Sequence, residues 1–87
     1  MWTILASKSF QKSYDKLDEK IQKKVDSLLV DLSKEYFPPN WDIKKMFGRD
    51  GEYRCRIGIY RILYKVVKKE VFIYILDIDH RKDIYKK

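Results

Sequence analysis

Eighty-seven residues with a formal net charge of +7 make one small domain, and 45% hydrophobic with 15% aromatic residues is too apolar for a disordered basic tail. The basic balance, with a pI near 9.5, selects an acidic partner, either nucleic acid or an acidic protein. Cys55 is the only cysteine, which excludes an intramolecular disulfide and a Cys-rich zinc cluster, and the apolar run Trp2–Ala6 is too short for a signal-peptide core or a membrane span, so the expected setting is the reducing cytoplasm without membrane contact.

Trp2 to Ala6 reads as a short apolar strand. Ser7 is placed to cap a helix from Lys8 to about Leu17, with Phe10, Tyr14 and Leu17 at helical spacing. Asp18 is placed to cap a second helix, whose apolar stripe is Ile21, Val25, Leu28, Leu29 and Leu32, with the lysines mostly on the other side. These two helices form a hairpin, and Pro38-Pro39 stops the second, because the residue before a proline is pushed out of the helical region.

Beyond the prolines the period becomes two. Glu52 to Ile57, Ile59 to Val67 and Glu70 to Ile78 read as three strands, turning at Gly58 and at Lys68-Lys69. The expected fold is α+β: an antiparallel β-sheet, made of the N-terminal strand and a three-stranded meander, covered on one face by the N-terminal helical hairpin. Residues 1–87 form a single domain in this reading. The tail from Asp79 is short and polar except for Ile84 and Tyr85.

Strand alternation places Arg54 and Arg56 on the face opposite Tyr53, Cys55 and Ile57, hence on the open side of the sheet. Arg61 opens the next strand, His80 and Arg81 follow the last, and a meander can bring all of these together in a shallow basic concavity on the open face of the sheet. An isolated Arg-x-Arg is by default a solvated sheet face, a lone histidine a surface residue, and a late tyrosine core packing. Three of the five arginines nevertheless fall within eight residues of a chain otherwise rich in lysine. A guanidinium offers phosphate a planar fork of donors, and imidazole is the side chain that most readily shuttles protons near neutrality. Lys44 and Lys45 add cations for an RNA backbone. Trp2, Trp41 and Phe47 read as core or rim packing, an exposed Trp41 being able to stack on a base, and Cys55 reads as a small core residue. With no P-loop, metal-ligand cluster, nucleophile elbow or dinucleotide fingerprint, neither a metal nor a cofactor is expected.

The order strand, helical hairpin from Ser7-Lys8-Ser9-Phe10, basic strand Tyr53-Arg54-Cys55-Arg56-Ile57, then Gly58-Ile59-Tyr60-Arg61-Ile62-Leu63-Tyr64 resembles the RelE/ParE superfamily of toxin–antitoxin systems. A late His80-Arg81-Lys82-Asp83-Ile84-Tyr85 matches its second signature. The resemblance implies the toxin of such a pair, a ribosome-dependent endoribonuclease needing no metal. In RelE-like members the 2′-hydroxyl of mRNA attacks the adjacent phosphate, giving a cyclic phosphate and a 5′-hydroxyl. Carried over, Arg61 is the phosphate-binding arginine, Arg81 the late arginine, Tyr85 the C-terminal tyrosine and His80 a position some relatives fill with histidine. Arg54 and Arg56 stand where lysine is frequent. Arginine does not release its proton, so proton transfer falls to His80 and Tyr85, their order unassigned. The implied partners are an acidic RelB-like antitoxin, the ribosome with its mRNA, and operator DNA through the antitoxin complex. Two other readings of the resemblance stay open: a ParE-like toxin inhibiting a topoisomerase such as gyrase, and a non-catalytic relative that binds antitoxin and DNA.

Overall fold

Ser7 and Asp18 each leave an extended backbone to start a helix, and each turns its side chain back as a cap. Ser7 Oγ accepts from Phe10 N at 3.0 Å and Asp18 Oδ1 from Ile21 N at 2.9 Å, satisfying amides that the first helical turn leaves without partners. The computed structural model describes residues 1–80: β1 (Thr3–Ala6), α1 (Lys8–Asp15), α2 (Glu19–Lys34), β2 (Asp42–Lys45), β3 (Glu52–Ile57), β4 (Tyr60–Val67) and β5 (Phe72–His80), with a 3-10 turn at Lys68–Glu70. The first helix ends at Asp15, and Leu17 packs into the core from the connection. The second ends at Lys34, before the two prolines.

The five strands form one sheet in the order β1-β5-β4-β3-β2. The pairs from β2 to β5 are antiparallel, as a meander requires, whereas β1 runs parallel to β5 with Thr3 opposite Phe72. The α+β class with helices on one face is the expected one; the strand β2 and the parallel pairing are not contained in the sequence reading. Strand β2 has a single apolar residue, Ile43, so its sequence carries almost no alternation to read. Its partner supplies the signal, because Ile43 lies opposite buried Cys55.

Val25, Leu28 and Leu32 of α2 and Phe10 of α1 pack with Cys55, Ile62, Tyr64, Ile73 and Ile75 in one core. Fully burying each such side chain contributes roughly 1.5–3 kcal/mol. Tyr53 and Tyr64 stack at 5.4 Å, and the Tyr64 hydroxyl donates to the Tyr36 carbonyl at 3.0 Å, so the ring is buried without orphaning its oxygen. Among the described residues no helix is long and apolar enough to cross a membrane.

One irregularity in β5 sets the side-chain phase at its end. Tyr64 pairs with Ile75 but Leu63 pairs with Asp77, so Leu76 is an extra residue and the strand bulges there. Ile73 and Ile75 face the core before the bulge, and Ile78 does so after it. A regular strand would have turned Asp77 and Asp79 inward; the bulge turns them out. The start of α1 holds this feature in place. Ser7 Oγ donates to Leu76 O at 2.6 Å, Ser9 Oγ to Asp77 Oδ1 at 3.0 Å, and Asp77 Oδ1 also accepts from Ile78 N at 2.8 Å.

Candidate nucleic-acid interface

Because Ile43, Cys55 and Ile62 point into the core, their strand neighbours point out on the uncovered side of the sheet. Two transverse rows result. Asp42, Arg56, Arg61 and Asp79 lie opposite one another across β2, β3, β4 and β5; Lys44, Arg54, Leu63 and Asp77 form the next row. A shallow recess of about 60 Å³ on this face is lined by Asp42, Lys44, Arg54, Arg56 and Arg61. Three guanidinium groups and one ammonium group thus meet one carboxylate, a strongly positive lining suited to a phosphate. Arg56 Nε lies 3.3 Å from Asp42 Oδ2, and both side chains stay about half exposed (54% and 50%).

The sequence reading grouped Arg54, Arg56, Arg61 and Lys44 at one site, and the fold brings these four together. Lys45 is turned away: it pairs with buried Tyr53 and lines a separate hollow with Tyr53, Val66 and Lys68 on the other side of the sheet. His80 is turned away too. It is the last residue of β5, in phase with Ile78, and its ring meets Tyr60 edge to face at 5.1 Å. With Ser13, Lys16, Leu17 and Tyr60 it lines a hollow of about 230 Å³ under the end of α1. The expectation that the meander gathers His80 with the arginines on one open face is therefore corrected. The bulge at Leu76 is the physical reason, since it reverses the facing of every later residue of the strand. Arg81 and Tyr85 lie outside the described residues.

Other residues singled out in the sequence resolve as follows. Trp41 is half-buried against the core, and its Nε1 donates to Asp31 Oδ2 at 2.8 Å, which ties the chain after the prolines to α2. Trp2 packs edge-on against Tyr36 at 5.3 Å. Phe47, expected as core or rim packing, is instead fully exposed in the β2–β3 connection. The Cys55 thiol is buried and pushed from 9.0 to about 12, mainly by desolvation and further by the carboxylate of Asp42; it is a packing group and a poor nucleophile. Burial raises the Tyr64 hydroxyl in the same way, with smaller contributions from Cys55 and Tyr53. Among the described residues no three His, Cys, Asp or Glu side chains gather to hold a metal ion. Asp42 is the site residue that sequence reasoning missed. Only the register of β2 against Arg56 reveals it.

Comparison with known proteins adds an independent line. Residues 1–85 match the family described as the ParE toxin of type II toxin–antitoxin systems. Toxin RelG of Mycobacterium tuberculosis is 33% identical over 57 residues, covering 66% of this chain and 63% of RelG, so the match spans less than two thirds of that relative. RelE1 of Methanocaldococcus jannaschii is 37% identical over 65 residues, covering 74% of this chain and 72% of the relative. The archaeal RelE–RelB complex from Pyrococcus horikoshii contains a chain that superimposes with a TM-score of 0.84 at 26% identity, covering 92% of this chain and 94% of that one.

Proposed function

Since this chain belongs to the ParE toxin family, within the RelE/ParE superfamily of toxins from type II toxin–antitoxin systems, we propose that it acts as a ribosome-dependent endoribonuclease on mRNA. The observation that carries this reading is the convergence of Arg54, Arg56, Arg61 and Lys44 on one exposed recess. The three guanidinium groups bind the scissile phosphate and stabilise the charge that builds on it during attack by the neighbouring 2′-hydroxyl. Arg81 adds a further cation. Two proton transfers complete the scheme: one takes the 2′-hydroxyl proton, and Tyr85 is the titratable group assigned to protonate the departing 5′-oxygen, because the His80 ring faces Tyr60 and not the recess. Products are a cyclic phosphate and a 5′-hydroxyl. No metal enters this scheme.

The shape of the site supports a dependence on the ribosome. A recess of about 60 Å³ has little wall with which to orient an unstructured strand. A ribosome delivers the codon already held, and orientation alone can contribute several kcal/mol. The solved P. horikoshii RelE is bound to RelB. An acidic RelB-like antitoxin that covers the basic face is the matching partner here, and operator DNA is met through that complex. The match to the ParE family supports a second reading, in which the same basic face binds a topoisomerase without chemistry.

Mapping mRNA 5′ ends in a translating extract separates the two. New 5′-hydroxyl ends within translated codons are expected with the wild-type protein, reduced about 10²–10³-fold by Arg61→Ala and also reduced by Arg81→Ala and Tyr85→Phe. Arrested growth with intact mRNA would transfer the assignment to topoisomerase inhibition.

A further inference from the structure

We propose that Asp42 is the general base of this site, and that an incoming phosphate frees it for that task by taking over Arg56. The proposal rests on the ribonuclease reading above and assigns one of its proton transfers. The open face needs a proton acceptor, and its cations are poor ones: arginine does not deprotonate in proteins, and a charged lysine carries donors only. Among the described residues its carboxylates include Asp42, Asp77 and Asp79, and of these Asp42 is the one that lines the recess. The His80 ring lies on the opposite side of the sheet, against Tyr60. Asp42 lines the arginine recess itself. It stands in one transverse row with Arg56 and Arg61, so a phosphate held by those two arginines has this carboxylate beside it.

In the free protein Asp42 Oδ2 is engaged by Arg56 Nε at 3.3 Å. An ion pair this exposed contributes little, so it is readily exchanged. A phosphate offers the guanidinium a better partner, because two parallel hydrogen bonds form instead of one contact. With Arg56 turned to the phosphate, the carboxylate oxygen that held it can accept a proton instead. The base thus becomes competent only when substrate is seated. Its step is a simple transfer: the 2′-oxygen bonds to phosphorus as its proton passes to a carboxylate oxygen of Asp42. The bond from phosphorus to the 5′-oxygen then breaks, and that oxygen takes a proton from the general acid of the scheme above. The proton on Asp42 restores the acid through solvent.

The test uses ribosomes programmed with mRNA, and measures cleavage and binding separately. Binding is read with an mRNA carrying a 2′-deoxy nucleotide at the cut position, which cannot react. Asp42→Asn is expected to bind these ribosomes at least as tightly as wild type, since Arg56 no longer has a competing carboxylate. Its single-turnover cleavage of ordinary mRNA is expected to fall about 10²–10⁴-fold. Asp42→Glu is expected to recover part of the rate. Cleavage by Asp42→Asn within about threefold of wild type would overturn the proposal, as would a parallel loss of binding and cleavage, which would make Asp42 only a holder of Arg56. Failure of the wild-type protein to cleave at all would remove the underlying ribonuclease reading, and this proposal with it, and so is distinguishable from either result.

Discussion

Cys55 shows how one side chain couples the core to the site above it. Its thiol is buried on the covered face of β3, between Arg54 and Arg56 in sequence, and is held protonated up to about 12 by desolvation first and Asp42 second. The unfolded chain gives up that proton near the ordinary value of 9.0, before the folded chain does. Stability contributed by the neutral thiol is therefore complete below pH 9 and is lost as pH climbs towards 12. Tyr64 acts in the same sense from its ordinary 10.0 upward. Replacing Cys55 by Ala is expected to cost about 1 kcal/mol at neutral pH, through lost packing, and to flatten the alkaline decline. Urea midpoints measured from pH 8 to 11.5 check this. An equally steep decline in the variant would assign the alkaline loss to Tyr64 instead.

Among the elements, the short α1 has two tasks, and Ser7 performs both. Its hydroxyl accepts from Phe10 N as a helix cap and donates to the carbonyl of the bulged Leu76. The Asp18 side chain caps α2 through Ile21 N and serves the helix only. Asp18→Ala is accordingly expected to cost about 1 kcal/mol, the usual loss of a cap. Ser7→Ala removes a second bond to a half-buried carbonyl and is expected to cost about 2 kcal/mol or more. Thermal or urea unfolding of the two variants checks the ranking, and equal losses would deny Ser7 any part in holding the bulge. Both caps were legible in the sequence, because a cap is a local signal of residue type and spacing. The bulge was less so. A regular Phe72–His80 with Ile73 and Ile75 inward would bury Asp77 and Asp79, which hints at a slip, and the pairing of Leu63 with Asp77 shows where it falls. That one residue moved His80 off the arginine face. Strand β2 escaped for a similar reason, since Asp-Ile-Lys-Lys acquires its strand character from the neighbour it pairs with. The parallel pairing of β1 with β5 joins residues nearly seventy positions apart, which no local pattern records.

For the whole molecule, the division of labour between the two faces of the sheet governs function. Helices and core occupy one face; the other carries no helix among the described residues and holds Lys44, Arg54, Arg56 and Arg61 within one recess. The remaining lysines are spread widely, as in the solvated face of α2, so the +7 net charge attracts polyanions from any direction, while this face gathers three of the five arginines. Salt dependence separates general attraction from the local site. Each phosphate neutralised on a single strand releases counterions, with a slope of about −0.7 in log K against log salt. Four contacts on the open face predict a slope of about −3 for single-stranded RNA, a weak but measurable interaction at low ionic strength. Arg54→Ala and Arg61→Ala are each expected to make that slope shallower by about 0.7. Lys24→Ala, on an exposed turn of α2, is expected to leave it within error. Titrations by fluorescence anisotropy between low and physiological salt provide the comparison. Slopes unchanged by both arginine variants but reduced by Lys24→Ala would place RNA on the helical side, and the recess would then be a surface for the acidic antitoxin alone.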